Sequence, residues 1–355
     1  MTDKKRDDSL KFGLIGAGVW GKTHAFLYEE DEKVELTAVC DLDQEKAEKL
    51  ASEFEISHIY TDHQKMLNER ELDAVAIVTP DFTHTPLVED CAEAGKDILL
   101  EKPLATTREG VEKSLKAVND NDVRMMVDLH NRWSPPFALA KERIKKGEIG
   151  DPVSAYFRLN DKKWVATDML SWAEKSSILW FLGSHTIDTL SWLFEDDIKK
   201  VYSASHSGVM KKEGIDTTDI YQTILEFQDG GIATIENSWI TPNSHPNVND
   251  IKCNVTGDEG IINIDTTNHR MIEVYNQEKH ENPDTLVNYF VHGKAKGFAY
   301  ESIRHFAEKL VSGEDFLVSV EEAAKVSLVI LAIFESAEKG EPVKVDYSSL
   351  KYLNN

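Results

Sequence analysis

The chain has no long hydrophobic run. Its longest strongly apolar stretch, Val326 to Phe334, falls well short of the ~20 residues a helix needs to cross a bilayer, so no membrane span is expected. Cysteine is scarce: Cys40, Cys91 and Cys253 are far apart and odd in number. That leaves no disulfide framework and no metal-ligand spacing, so no metal is expected and the three thiols read as small buried apolar groups. Basic residues are also in the minority, 40 Lys+Arg against 63 Asp+Glu, for a formal charge of −23. So acidic a surface repels nucleic acid and anionic membranes and argues against both as partners. Residues Met1 to Ser9 are charged and polar and contain no apolar signal region, which makes the cytoplasm the expected location. Repeats and low-complexity tracts are absent.

What is present suffices for two ordinary domains: 355 residues, 41% hydrophobic, 29% charged and 9% aromatic. Short apolar runs without polar alternation recur at Phe12–Ile15, Leu36–Cys40, Ala74–Val78, Ile98–Leu100 and Met125–Leu129. Helical patterns such as Gln44–Ser52 and Thr83–Ala94 lie between them. This rhythm predicts strands covered on both faces in a parallel, doubly wound α/β sheet. After Ser134-Pro135-Pro136 the text changes. A helix over Phe137–Lys146, a strand over Pro152–Leu159 and a helix near Leu179–Phe194 precede successive strands from Lys200 to Val274. Thr223–Phe227 and Ile232–Asn237, around Asp229-Gly230-Gly231, read as a hairpin. Late helices are expected at Ala299–Val311 and Val320–Ala337. The reading is a Rossmann domain over residues 1–132 and an α+β domain with a large, mostly antiparallel sheet over 133–355.

Gly16-Ala17-Gly18-Val19-Trp20-Gly21 follows the first strand and opens a helix. Gly16 permits the tight turn, Gly18 lets the backbone approach a pyrophosphate, and Gly21 allows helix and strand to pack closely. The helix N-terminus then offers N–H groups to the phosphates. Asp41 ends the second strand twenty residues after Gly21, where a carboxylate accepts from ribose hydroxyls and repels a 2′-phosphate. Leu42 follows it, where an NADP site tends to carry Ser, Thr or Arg, so NAD is favoured over NADP. Thr79-Pro80 and Glu101-Lys102-Pro103 end the third and fourth of these strands, at the edge where open α/β sheets bind ligands. Taken singly, each reads better as a plain turn. His185 and Asp188, within Gly183-Ser184-His185-Thr186-Ile187-Asp188, share a helix face. A histidine there is either a general base or a satisfied core residue.

Together these residues resemble the Gfo/Idh/MocA family of oxidoreductases. The resemblance rests on the GAGVWG turn, Asp41, Thr79-Pro80 with His84 four residues on, Glu101-Lys102-Pro103 and Gly183-x-His185-x-x-Asp188, in order along nearly the whole chain. It implies hydride transfer between NAD(H) and a hydroxyl or carbonyl of a sugar, sugar acid or cyclitol. Gly16, Gly18, Val19, Trp20, Gly21 and Asp41 would hold the adenosine and phosphate half of the cofactor. Thr79, Pro80, His84 and Glu101 would lie near the nicotinamide half. Lys102 and His185 would face the reacting carbon, His185 as base and Lys102 as its electrostatic partner.

One departure stands out. Many members place an Asp four residues before the catalytic His, and here that position is Phe181. Asp188 is left either to bind substrate or to orient His185. Segments expected to border the substrate contain Arg132, Arg158, Lys163, Trp164, Trp172, Trp180, Trp239 and His245. Of these Arg132 and Trp164, with Asp188, are taken as substrate ligands, since most tryptophans belong to cores. A homo-oligomer, dimer or tetramer, is implied by the family. Two further readings stay open: an NAD-dependent glycosidase working by transient oxidation, and a non-catalytic NAD sensor.

Overall fold

The computed structural model describes residues 9–267, 271–278 and 280–353. Almost all of the N-terminal stretch read for a signal region, and three residues of the Lys200–Val274 strand region, lie outside these. In chain order the elements are β1 (Leu10–Ile15), α1 (Val19–Glu30), β2 (Val34–Cys40), α2 (Gln44–Glu53), β3 (His58–Tyr60), α3 (His63–Glu69), β4 (Ala74–Ile77), α4 (His84–Glu93), β5 (Asp97–Leu100), α5 (Arg108–Asp120) and β6 (Met125–Val127). There follow α6 (Pro135–Lys145), β7 (Pro152–Lys162), α7 (Ser184–Phe194), β8 (Ile198–Ser207), α8 (Val209–Lys212), β9 (Thr218–Phe227), β10 (Ile232–Thr241), β11 (Asn249–Gly257) and β12 (Ile261–Asp265). The chain ends through β13 (Val274–Tyr275), β14 (His280–Glu281), β15 (Tyr289–Val291), β16 (Lys294–Lys296), α9 (Phe298–Ser312), α10 (Val320–Lys339) and β17 (Val343–Lys344).

Two units result. The first holds the chain up to Leu129, then Phe290–Ala324 and the segment from Ser348. The second holds His130–Tyr289 and Lys325–Tyr347. A single cut at 132/133 does not describe this division, because α9 returns to the first unit. There Phe306 sets its ring edge-on to Phe12 of β1 at 5.9 Å, and Arg304 reaches Glu30 of α1 at 3.3 Å.

In the first unit six parallel strands lie in the order β3-β2-β1-β4-β5-β6. Phe12, Leu14, the whole of Ala74–Ile77 and Ile98–Leu100 are fully buried, as strands covered on both faces must be. Side chains supply the helix starts: Asp43 accepts from the Lys46 N–H, Asp62 from Gln64 and Lys65, and Thr107 from Gly110. The sequence pattern misses one strand, β3. It has three residues, and its faces are half-buried or exposed, so it has no apolar run to recognise. Strand order reverses between β1 and β4, so the crevice for a ligand opens at the carboxyl ends of those strands.

In the second unit the sheet runs β12-β11-β7-β10-β9-β8-β17. The β9–β10 hairpin forms with the expected pairing, Thr223 opposite Ile235. Its partner on the other side is parallel, however, with Ile235 beside Phe157 of β7, so the sheet is mixed although mostly antiparallel. α7 is preceded by a wide turn over Leu179–Gly183, in which the Ser184 N–H reaches back to the Leu179 carbonyl, five residues away. Such widened turns recur at functional sites, and this one leads directly to His185.

Candidate active site

The first unit gathers its candidates at the carboxyl edge of its sheet. Gly16 has φ +108°, and a Cβ there would press on the Val78 carbonyl. A Cβ at Gly21 would drive into the Gly16 carbonyl oxygen, whereas at Gly18 nothing lies within 4 Å. The turn therefore uses two glycines to close on itself and leaves the third facing open space. Gly18 caps α1 without a side-chain hydrogen bond, and no acidic residue sits in the first turn. The leading N–H groups of a twelve-residue helix are thus presented without a competing carboxylate. Asp41 is fixed beside them: the Ala17 N–H donates to its Oδ2 at 2.7 Å and the Asp43 N–H to its Oδ1 at 2.9 Å. Val19 and Leu42 are exposed and Trp20 half-buried. An open backbone cradle with one anchored carboxylate fits a dinucleotide that has a free ribose hydroxyl pair, which is NAD.

Thr79 and Pro80 are half-buried at the end of β4, and the Thr83 hydroxyl lies 2.8 Å from the Thr79 hydroxyl and 2.6 Å from the Pro80 carbonyl. His84 departs from expectation. It is fully buried, and its ring nitrogens face the Pro103 carbonyl at 2.7 Å and the Thr79 carbonyl at 3.0 Å. It braces the β4 turn against the turn after β5 and has no surface to offer a ligand. Burial holds its pKa below the ordinary histidine value, against the pull of the two carbonyls, Asp81 and Glu101. Glu101 and Lys102 follow β5, both half-buried, and the Lys102–Pro103 peptide is cis.

Sequence reasoning missed what lies behind Glu101. His24 of α1 is fully buried, with its Nε2 3.5 Å from Glu101 Oε1 and its Nδ1 3.1 Å from the hydroxyl of buried Tyr28. Asp128, just past β6, is buried too. Among the described residues, His24, Glu101 and Asp128 are grouped closely enough for a metal ion, their ligand atoms all within 4.8 Å of one another. The signal was present in part: Gly21, His24, Ala25 and Tyr28 fall on one helix face.

In the second unit His185 lies in the first turn of α7, 5% exposed. The turn His130–Trp133 docks along that helix residue by residue. The His130 ring lies 4.4 Å from the His185 ring, Asn131 donates to the Thr189 hydroxyl at 3.3 Å, and Arg132 pairs with Asp188 at 2.6 Å. On another face the Thr186 hydroxyl meets Asn237 Oδ1 at 3.2 Å, and Asn237 donates to the Leu159 carbonyl at 3.0 Å. His185 is thereby held between the 130–133 turn and the sheet. Arg132 and Asp188, expected to bind substrate, are 4% and 1% exposed and committed to each other. Neither presents its charge to a ligand.

The other candidates divide. Trp180 and Trp239 are buried. Arg158 pairs with Asp250 at 2.8 Å and Lys163 with Glu213 at 2.9 Å, and His245 meets the Asn247 carbonyl at 2.8 Å. Trp164 is 41% exposed, its backbone N–H donating to Asn243. Phe181 stacks on Trp239 at 5.8 Å and meets Trp172 edge-on at 6.4 Å. At the position where the family resemblance leads to the expectation of an aspartate, this chain builds an aromatic cluster.

A parallel sheet with a glycine-rich turn at its switch point and an anchored acid after the second strand defines a nicotinamide-dependent oxidoreductase. Residues 10–129 match the model of an oxidoreductase family with an NAD-binding Rossmann fold, and residues 141–345 match the C-terminal alpha/beta domain of the same family. The chain belongs to the Gfo/Idh/MocA oxidoreductase family, and NAD is its cofactor. It is 28% identical over 344 residues to scyllo-inositol 2-dehydrogenase (NAD(+)) of Bacillus subtilis, covering 96% of this chain and 97% of that one. It is 27% identical over 388 residues to levoglucosan dehydrogenase of Pseudarthrobacter phenanthrenivorans, covering 95% and 98%. The fold matches that of scyllo-inositol dehydrogenase from Lactobacillus casei, solved with NAD(H) and scyllo-inositol, with a TM-score of 0.81 at 19% identity over 95% and 99% of the two chains.

Proposed function

We propose that the protein oxidises a secondary hydroxyl of a cyclitol or sugar with NAD, or runs the reverse reduction. The observation that carries this is the Asp41 carboxylate, anchored at 2.7 Å by the Ala17 N–H beside the open Gly18 turn, in a chain related end to end to proteins acting on scyllo-inositol and levoglucosan. NAD supplies the hydride acceptor when bound. Lys102 donates a hydrogen bond to the reacting oxygen and stabilises the charge that grows there. His185, locked in place by its neighbours on α7, takes the hydroxyl proton as general base. Trp164 offers an exposed indole face to the C–H side of a polyol.

A second copy of the chain fits the open face of the larger sheet. Pairing registers set Asn254, Tyr156, Thr234, Ile224 and Tyr202 in one row across five strands, and Tyr156, Ile224 and Tyr202 are exposed. A homo-oligomer that buries this row removes a band of apolar surface from water. The three cysteines are buried and unpaired, which suits the reducing cytoplasm. No helix among the described residues is long and apolar enough to cross a membrane.

The test is calorimetric titration with NAD and NADP, followed by a panel of inositols, anhydro sugars and aldoses read by the absorbance of reduced nicotinamide. NAD binding with turnover on a member of the panel is expected. NAD binding with cleavage of an aryl glycoside and no accumulation of reduced cofactor would instead establish a glycosidase.

A further inference from the structure

A buried polar chain runs from the cofactor helix to the turn that carries Lys102. Its members are Tyr28 and His24 on α1, Glu101 after β5 and Asp128 after β6. Tyr28, His24 and Asp128 are essentially inaccessible to water, and the Glu101 side chain is 11% exposed. Within it Tyr28 and His24 are hydrogen-bonded, whereas His24 Nε2 and Glu101 Oε1, 3.5 Å apart, face each other without forming a full hydrogen bond. The phenol of Tyr28 keeps its proton, because burial and the charges of Asp128, Glu101 and Asp31 push its pKa well above the ordinary tyrosine value. It can therefore donate to Nδ1 of His24 across the 3.1 Å separation. The imidazole then carries its own proton on Nε2, which faces Glu101 Oε1 at 3.5 Å.

We propose that His24 is a positioning residue for the nicotinamide end of the cofactor, acting through Glu101. The proposal rests on the reading that Glu101 lies at that end, and it gives the carboxylate a defined partner. One oxygen faces the imidazole, which fixes the rotamer, and the other is aimed to accept from a ribose hydroxyl or the carboxamide of the nicotinamide half. α1 begins at the glycine turn that receives the pyrophosphate, so His24 links the phosphate anchor to the Glu101-Lys102 turn within one unit. A change at either end is transmitted through the single His24–Glu101 contact.

The experiment compares NAD with ADP, which occupies only the adenosine and phosphate half. In titrations of the full chain, wild type, His24→Phe, His24→Gln, Tyr28→Phe and Glu101→Gln should bind ADP alike. His24→Phe keeps the ring volume but has no donor, and should weaken NAD about tenfold, the lower end of the range for a polar contact to a charged group. His24→Gln retains a donor and should recover most of that loss. The double variant His24→Phe/Glu101→Gln should lose no more than Glu101→Gln alone, since both act through one contact. Equal NAD affinity in His24→Phe and wild type overturns the proposal, and so does a parallel loss of ADP and NAD, which marks a general structural role. A stoichiometric divalent ion in the purified protein that disappears in His24→Phe overturns it in favour of a metal site. Failure of the wild type to bind NAD at all sinks the proposed function as well.

Discussion

Arg132 grips Asp188 with two nitrogens. The terminal Nη2 lies 2.6 Å from Oδ1, and Nε lies 3.1 Å and 3.2 Å from the two carboxylate oxygens. The pair is buried and sits one helical turn from His185. Bidentate geometry of this kind combines strength with direction. It ties the segment after β6 to the helix that carries the candidate base, with the close, tilted packing of the His130 and His185 rings as a second tie.

Removing either partner strands a charge away from water. Arg132→Met should destabilise the protein by about 3–5 kcal/mol, the range for breaking a buried pair. Arg132→Lys should rescue little, because an ammonium cannot reproduce the fork. Replacing both partners at once, Arg132→Met with Asp188→Leu, should recover much of the loss. Urea unfolding of the three variants checks this. If Arg132→Met unfolds like wild type, the pair is not a structural tie.

The Asp41 carboxylate is oriented by two backbone N–H groups before any ligand arrives. Asp41→Ala should therefore weaken NAD more than NADP, because it removes the ribose acceptor and, at the same time, the repulsion of a 2′-phosphate. The NAD/NADP affinity ratio by titration calorimetry is the readout. An unchanged ratio would show that cofactor choice lies elsewhere.

Much of this was legible in the text. Five of the six strands of the first sheet are apolar runs because both of their faces are covered, and the glycine turn and Asp41 stand at fixed offsets from them. The sixth strand is too short and too exposed to leave a periodic trace. The site was less legible for a different reason. A sequence shows that Arg132, Asp188 and His84 are polar, but not whether their partners are ligands or other parts of the chain. Arg132 and Asp188 satisfy each other from 56 positions apart, and His84 finds two carbonyls. His24 was overlooked because a histidine inside an amphipathic helix reads as core until Glu101 and Tyr28 are seen beside it.

His84 carries a pH dependence with a definite sign. Its folded pKa lies below the ordinary value of 6.5, so the unfolded chain binds a proton more readily than the folded one. Its contribution to stability is complete above that ordinary value and declines as the pH falls through the window between it and the lower folded value. One group can tilt stability by at most about 1.4 kcal/mol per pH unit there. His84→Gln cannot protonate and should lose this component, so the gap between variant and wild type should narrow as acid is added. Denaturant midpoints across that range test it. A gap that stays constant with pH would mean that His84 does not titrate on unfolding.

His185 differs from Arg132 and His84 in what its loss should change. Its neighbours Asn131, Arg132, Thr186 and Asn237 hold α7 through other residues of the helix, so the imidazole can be removed without releasing the scaffold. His185→Ala should keep NAD affinity and lower kcat by about 10²–10⁴-fold, the usual contribution of a positioned general base. Because the missing function is proton acceptance, the residual activity should rise with pH as hydroxide takes over. Titration calorimetry and a kcat profile against pH separate the possibilities. A collapse of NAD affinity would make His185 structural, and unchanged turnover would move the base to another residue.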